Sequence, residues 1–191
     1  MIAYTCPGFQ RLLLALLAAA ALGGATVSAD ELPRLTGTVV GITDGDTVDV
    51  RLVSGMIRVR LHGVDAPERD QPHGKASRRM LSQLVFGKTV EIEPIEQDKY
   101  DRLVARLWLG ETDVNAELLA LGAAWVYRRY AREAAYCTHE KAARDRKRGL
   151  WALPPEQWVA PWEWRRRDHL GRPFTDYSRQ TVAQCAKSLG K

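Results

Sequence analysis

Residues 38–64 carry the clearest structural pattern of the chain, TVVGITDGDTVDVRLVSGMIRVRLHGV. Apolar residues alternate with other residues on both sides of Asp44-Gly45, a dipeptide typical of hairpins, and again around Ser54-Gly55. Three short runs with period two, each joined to the next by a tight turn, predict antiparallel strands. We therefore expect a three-stranded meander in which Val48 and Val50 share one face.

Further elements follow the meander in the order helix, two strands, two helices. An apolar stripe with helical spacing covers about residues 72–86, and strand patterns return at 89–95 and 103–109. A short helix is predicted at about 114–121 and a last one at about 138–148, each followed by a glycine. This order predicts an α+β domain built on a five-stranded barrel.

Charged residues gather at the ends of the predicted strands. The acidic ones are Asp44, Asp46, Asp65 and Glu68, and the basic ones are Arg60 and Arg102. Hard cations prefer carboxylate oxygens, and the planar guanidinium of arginine suits the oxygens of a phosphate. Taken singly, each has an ordinary alternative, such as a type I′ turn for Asp44 or a solvated surface for either arginine. Together, they indicate metal-assisted phosphodiester chemistry.

The N-terminus has the pattern of a secretory signal peptide. Arg11 precedes an unbroken apolar run, and Val27-Ser28-Ala29 is a small-residue cleavage pattern. We predict cleavage after Ala29 and a periplasmic or secreted protein. The alternative is an uncleaved membrane anchor, although the run is short for a span of roughly 20 residues. Cleavage removes Arg11 from a chain of formal net charge +5, and the remaining basic excess suits an anionic partner.

Two cysteines remain after the predicted cleavage, Cys137 and Cys185. An even pair in an exported protein predicts one disulfide, here between the last helix and the C-terminal tail. The spacing of these cysteines matches no zinc site.

Three segments are expected along the chain: a signal peptide at residues 1–29, the barrel domain at 30–152, and an extension at 153–191. The extension is rich in tryptophan and arginine, with Trp158, Trp162 and Trp164 followed by Arg165-Arg166-Arg167. Packing of the tryptophans on the barrel is the favoured interpretation. The alternative is stacking and charge contacts with single-stranded nucleic acid.

From about Leu35 to Trp151 the sequence resembles the thermonuclease family, the staphylococcal-nuclease-like proteins. The resemblance is carried by Asp44-Gly45-Asp46-Thr47-Val48, Arg60, Val64-Asp65-Ala66-Pro67-Glu68, Asp98-Lys99-Tyr100 and Arg102, with further support from Val114-Asn115, Thr138-His139-Glu140 and Gly149-Leu150-Trp151. It implies an OB-fold barrel with three helices that cleaves DNA and RNA with the help of Ca²⁺. Cleavage in this family leaves 3′-phosphate ends.

The resemblance also implies a role for each matching residue. Asp46 and Asp65 would bind calcium through their carboxylates and Ala66 through its backbone carbonyl, with Asp44 in the surrounding shell. Glu68 would be the general base, and Arg60 and Arg102 would grip the phosphate. Lys99 and Tyr100 match positions that hold a terminal phosphate, and Tyr130 matches one of two tyrosines beside the nucleotide; the other aligns with Arg128.

The sequence departs from the family pattern at Asp101, where the family often has glycine before the second arginine. Asp101 would either slow turnover or orient Arg102 by pairing with it. The expected function is that of an exported, monomeric, calcium-dependent nuclease. The alternative is a nucleic-acid-binding OB module without catalysis, although such domains lose carboxylates or arginines that this chain keeps.

Overall fold

A computed structural model of the chain describes residues 33–166 and 173–191. The predicted leader and Arg167 lie outside these ranges. The strands are β1 (Leu35–Ile42), β2 (Thr47–Leu52), β3 (Gly55–Leu61), β4 (Val64–Asp65), β5 (Thr89–Gln97), β6 (Leu103–Leu109), β7 (Thr112–Asp113) and β8 (Trp125–Val126). The α-helices are α1 (Gly74–Val85), α2 (Val114–Ala120), α3 (Ala134–Asp145), α4 (Pro161–Trp164) and α5 (Val182–Lys187).

A closed five-stranded barrel forms the centre of the fold. Its strands follow the order β3-β2-β1-β5-β6, and a parallel pairing of β6 with β3 closes it, with Val59 opposite Leu103. Inward-facing side chains such as Val48, Val50 and Leu107 are fully buried. The structure therefore confirms the α+β class and the barrel.

The β1–β2 connection differs from the predicted hairpin. Four residues link the two strands, and neither Asp44 nor Gly45 adopts the positive φ that a type I′ turn requires. Glycine is needed at position 45 for another reason, since a Cβ there would lie 2.5 Å from that of Ala66. This close approach brings the β1–β2 loop against the segment that follows β4. In β1 itself, a register shift between Val39 and Gly41 breaks the simple alternation.

The helices lie close to their predicted positions. α1 buries Gly74, Ser77, Leu81 and Val85; the apolar pattern predicts Leu81 and Val85 but not Gly74 and Ser77. α2 matches its prediction, and the Asp113 carboxylate caps it by accepting a hydrogen bond from the Ala116 N–H. α3 begins at Ala134 and ends at Asp145, earlier at both ends than the sequence pattern predicts.

The extension packs on the barrel domain through aromatic rings. Trp158 meets Trp151 with centroids 5.3 Å apart, and Trp162 meets Trp125 at 6.1 Å. The packing interpretation is thus confirmed for Trp158 and Trp162. The predicted disulfide between Cys137 and Cys185 is also present, and it ties α3 to α5. Within the described ranges, none of the helices combines the length and apolarity that crossing a membrane demands.

Candidate active site

Two buried carboxylates meet where the β1–β2 loop touches the end of β4. Asp46 precedes β2, and its Oδ2 accepts a 2.7 Å hydrogen bond from the backbone N–H of Ala66. Asp65 is the last residue of β4, where it pairs with Trp125 of β8. The two residues are 5% and 1% exposed, so both carboxylates lie almost entirely out of water.

Glu140 holds β8, and through it β4, in position. This fully buried carboxylate accepts hydrogen bonds from the Val126 N–H at 2.9 Å and from Arg128 at 2.8 Å. Arg128 also donates to the carbonyl of Val126. Arg128, which aligns with a nucleotide-binding tyrosine of the family, therefore supports β8 and through it β4, the strand that carries Asp65.

Arg60 joins the two buried carboxylates from the barrel side. Its Nη2 lies 3.1 Å from Asp46 Oδ2 and 3.0 Å from Asp65 Oδ1. Its Nη1 donates to the backbone carbonyls of Leu61 and Val64, at 3.0 and 2.9 Å. The guanidinium is thus fixed on two sides and lies within reach of a phosphate that approaches the carboxylates.

The electrostatics of this cluster favour a bound cation. Burial raises the pKa of Asp46 well above its usual value; Arg60 opposes that rise, while Asp44 and Asp65 increase it. Asp44 also accepts a hydrogen bond from the Asp46 N–H at 3.1 Å, which places it beside the cluster. A cation between the carboxylates would reduce this repulsion.

A hard cation at these carboxylates would need water in its shell. In the described part of the chain, no group of three or more His, Cys, Asp or Glu side chains is arranged to hold a metal ion. Two carboxylates and a carbonyl supply fewer than the 6–8 oxygens that calcium takes, so water and substrate would complete the shell.

Glu68 is fixed at its backbone and open at its side chain. Its N–H donates to Gln71 Oε1 at 3.1 Å, and the Gln71 amide donates to the carbonyl of Val159 in the extension. The Glu68 side chain is 38% exposed, so water can reach its carboxylate.

Arg165 contributes a contact that the sequence does not predict. It follows α4 in the extension, and its Nη1 lies 2.7 Å from Glu68 Oε1. Nη1 and Nη2 also donate to Asp65 Oδ1 and Oδ2, at 3.2 and 2.7 Å. Partial burial lowers the pKa of Arg165, but Asp65 and Glu68 outweigh it and hold that pKa above its usual value.

Arg102 lies at the same edge of the barrel but pairs elsewhere. The residue after it, Leu103, is the partner of Val59 in the β3–β6 pairing, which puts Arg102 near the Arg60 strand. Its Nε and Nη2 both lie 2.7 Å from Asp98 Oδ2. The carboxylate that orients Arg102 is therefore Asp98.

The turn before Arg102 forms a small cationic surface. Tyr100 is 65% exposed, with Lys99 Nζ 5.0 Å and the Arg102 guanidinium carbon 5.4 Å from its ring centroid. Asp101 adopts φ 60°, a left-handed conformation that glycine adopts without strain. The glycine that the family often has at this position is thus explained by backbone conformation.

A tyrosine other than Tyr130 lies near Asp65. Tyr130 lines a cavity of about 440 Å³ together with His62 and Glu133. Tyr127 stacks on Trp162 with centroids 5.4 Å apart and planes at 4°. Burial raises the pKa of Tyr127, and nearby Asp65 raises it further while Arg165 opposes this. Tyr127 is therefore the ring that adjoins the site.

A basic groove begins beside Glu68. It has a volume of about 680 Å³, and its lining residues come from the loop after Glu68, from α1 and from the extension. Those that bear on ligand binding are Arg69, Lys75, Arg79 and Trp164. The three cations are exposed, so the groove offers positive charge next to the carboxylate cluster.

Comparison with known proteins agrees with the fold. The family model described as staphylococcal nuclease homologue matches residues 58–153. The micrococcal nuclease of Shigella flexneri is 38% identical over 165 residues, which cover 81% of this chain and 94% of that protein.

Two other relatives extend the comparison. An uncharacterized endonuclease of Escherichia coli O157:H7 is 38% identical over 132 residues, covering 69% of this chain and 85% of its own length. A probable staphylococcal-like nuclease of Oryza sativa subsp. japonica is 37% identical over 114 residues, covering 60% of this chain and 34% of that protein. The chain belongs to the family of staphylococcal nuclease homologues.

Proposed function

We propose that this chain is a calcium-dependent nuclease that hydrolyses phosphodiester bonds of DNA and RNA and leaves 3′-phosphate ends. The observation that carries the proposal is the meeting of Asp46, Asp65 and Arg60 at one edge of the barrel, with Glu68 joined to Asp65 through Arg165. Membership of the family supports a nuclease function, and its relative from Shigella flexneri is named a micrococcal nuclease.

In this proposal the calcium ligands are the carboxylates of Asp46 and Asp65 and the carbonyl of Ala66, with Asp44 behind Asp46. Bound calcium would supply a Lewis acid that polarises a phosphate oxygen of the substrate. The same two carboxylates face Arg60, so the substrate phosphate would lie between positive charges on both sides.

Glu68 acts as the general base in the proposed reaction. It accepts a proton from water as the oxygen of that water bonds to phosphorus, and the bond from phosphorus to the 5′-oxygen breaks. The departing 5′-oxygen takes a proton from solvent. The exposed carboxylate and the backbone hydrogen bond to Gln71 suit Glu68 for this role, because the side chain meets water while its backbone stays in place.

The remaining residues bind the substrate. Arg60 and Arg102 donate to the non-bridging phosphate oxygens, where they stabilise the negative charge of the transition state. Lys99 and Tyr100 would contact a terminal phosphate, and their exposure beside Arg102 supports this role. Nucleobase packing falls to Tyr130 or, on the side of Asp65, to Tyr127.

A digestion assay tests the proposal. Single-stranded DNA and RNA are incubated with the protein in calcium, in magnesium and in chelator, and the product ends are identified by mass spectrometry. We expect cleavage with calcium, none with chelator, and 3′-phosphate ends. Binding without cleavage in calcium would overturn the proposal and leave the non-catalytic OB module, whereas 5′-phosphate ends would overturn the proposed bond.

We also propose that the protein is exported and acts as a monomer. The leader pattern and a disulfide, which persists in oxidising compartments, support export. N-terminal sequencing of the protein from fractionated cells should give Asp30 as the first residue, in the periplasm or the medium. An intact leader in the membrane fraction would contradict this, and a dimer mass in solution would contradict the monomer.

A further inference from the structure

Arg165 bridges two residues with different proposed roles. Its guanidinium makes a two-pronged contact with the Asp65 carboxylate and reaches Glu68 through Nη1. Asp65 is a proposed calcium ligand, and Glu68 is the proposed base. One side chain of the extension thus engages both.

Packing of the extension explains why Arg165 lies there. Trp162, three residues earlier, stacks on Tyr127 and meets Trp125, the residue opposite Asp65 in the β4–β8 pair. The Gln71 amide ties the loop of Glu68 to Val159. The extension is therefore attached both to β8 and to the loop that follows Glu68. These attachments bring Arg165 next to Asp65 and Glu68.

Arg165 and a cation need the same oxygens. Asp65 Oδ1 already accepts from Arg60 and Arg165, and Oδ2 accepts from Arg165. A divalent cation at Asp65 would compete for these oxygens and would repel the guanidinium. Because coupling between two ligands is reciprocal, a guanidinium that is displaced by calcium must weaken the binding of calcium.

Of the two arginines at Asp65, Arg165 is the more exposed and the less tightly held. Arg60 is 13% exposed at its side chain and is fixed by two backbone carbonyls, whereas Arg165 is 40% exposed. An exposed guanidinium can return to water at low cost, whereas a buried one cannot.

We propose that Arg165 is a positioning residue of the active site, which holds Asp65 and Glu68 in the calcium-free protein and yields Asp65 when calcium binds. This inference rests on the proposed calcium site. It adds a residue from outside the matched family region, and it makes the extension a determinant of calcium affinity.

Calcium titration of the full protein in the absence of nucleic acid tests the inference. Isothermal titration calorimetry would compare wild type with Arg165→Gln, Arg165→Lys and Arg166→Gln. We expect Arg165→Gln to lower the calcium dissociation constant at least about 5-fold. The calcium dissociation constant of Arg165→Lys should lie between those of Arg165→Gln and wild type, because lysine keeps the positive charge but loses the two-pronged geometry of the guanidinium.

Arg166→Gln is the matched control, because it removes an equal charge one residue away. In the wild type, Arg166 Nε donates to the carbonyl of Trp162 and not to Asp65 or Glu68. We expect its calcium dissociation constant to stay close to that of wild type. Equal affinity in wild type and Arg165→Gln, or equal tightening in both glutamine variants, would overturn the inference.

Thermal unfolding distinguishes a positioning role from a merely structural one. Loss of Arg165 should lower the melting temperature in chelator and enlarge the rise that calcium produces. A structural role would lower the melting temperature equally in both conditions, which would overturn the inference. NMR of the arginine side chains gives a second measurement, in which the Arg165 Nε signal should shift on addition of calcium, and an unchanged signal would contradict displacement.

The failures of the two proposals are distinguishable. Tighter calcium binding by Arg165→Gln without any cleavage of nucleic acid would overturn the proposed function and keep the inference. Calcium-dependent cleavage together with an unchanged calcium affinity of Arg165→Gln would keep the proposed function and overturn the inference. A wild-type protein that binds no calcium would overturn this inference together with the calcium dependence.

Discussion

The barrel and the extension each bring an arginine to Asp65, and they hold it in different ways. Arg60 comes from a barrel strand, is nearly buried, and is fixed by the carbonyls of Leu61 and Val64. Arg165 comes from the extension, is more exposed, and contacts Asp65 and Glu68, the proposed calcium ligand and general base. The barrel thus supplies a fixed arginine, and the extension supplies a more exposed one, which we propose that calcium displaces.

The largest effect is expected for Glu68→Gln, which removes the proposed general base of the barrel domain. Loss of general base catalysis should reduce the rate of DNA cleavage by about 10²–10⁴-fold, while calcium and substrate still bind. Single-turnover cleavage in saturating calcium measures this effect. The control is Glu156→Gln, an exposed glutamate of the extension, which should keep the wild-type rate. A Glu68→Gln protein that cuts as fast as wild type would remove Glu68 from its role.

Removing the disulfide tests how the extension is attached. The double variant Cys137→Ala and Cys185→Ala opens a link between residues 48 apart in sequence. The free energy of unfolding should fall by about 2–4 kcal/mol, because the unfolded chain gains freedom. Urea unfolding measures this change, and treatment of the wild type with reductant is the matching experiment. An unchanged midpoint in both would show that noncovalent contacts are sufficient to attach the extension.

The basic groove lies between the two regions and should affect binding more than chemistry. The triple variant Arg69→Gln, Lys75→Gln and Arg79→Gln should raise KM several-fold and leave kcat unchanged. If the three cations each contact a phosphate of single-stranded DNA, their loss should reduce the slope of log affinity against log salt concentration by about 2. The matched control changes three exposed cations elsewhere, Arg51, Lys88 and Lys187, to glutamine. A control that weakens binding equally would mean that net charge, and not the groove, attracts the substrate.

The smallest effect is expected for Asp101→Gly. Arg102 is oriented by Asp98, so loss of the Asp101 carboxylate should leave the cleavage rate unchanged. Relief of the left-handed backbone at residue 101 should change the free energy of unfolding by at most about 1 kcal/mol. Kinetics and urea unfolding measure both. A clear rise in the cleavage rate of Asp101→Gly would show that Asp101 slows turnover. A lower cleavage rate of Asp98→Asn would confirm that Asp98 orients Arg102.

The sequence predicts the parts of the fold that local patterns determine. Alternation locates β1 to β3, and helical spacing with a following glycine locates α2, since these signals act over a few residues. The register shift in β1 and the burial of Gly74 and Ser77 in α1 do not follow from local patterns, because packing against neighbouring elements determines them.

The same distinction applies to the site. Asp46, Arg60 and Asp65 were identified because they occur in motifs with the spacing of a known family, and the structure brings them into contact. The contact of Arg165 with Asp65 spans 100 residues of sequence and depends on the stacking of Trp162. Neither periodicity nor motif spacing signals it. The only hint is the arginine cluster after the tryptophans.

One measurement tests the division of roles between barrel and extension most directly: the calcium dependence of DNA cleavage by wild type, Arg165→Gln and Glu68→Gln. We predict a lower calcium midpoint for Arg165→Gln and negligible cleavage by Glu68→Gln at every calcium concentration. Equal midpoints for wild type and Arg165→Gln, together with wild-type cleavage by Glu68→Gln, would contradict both halves of the account.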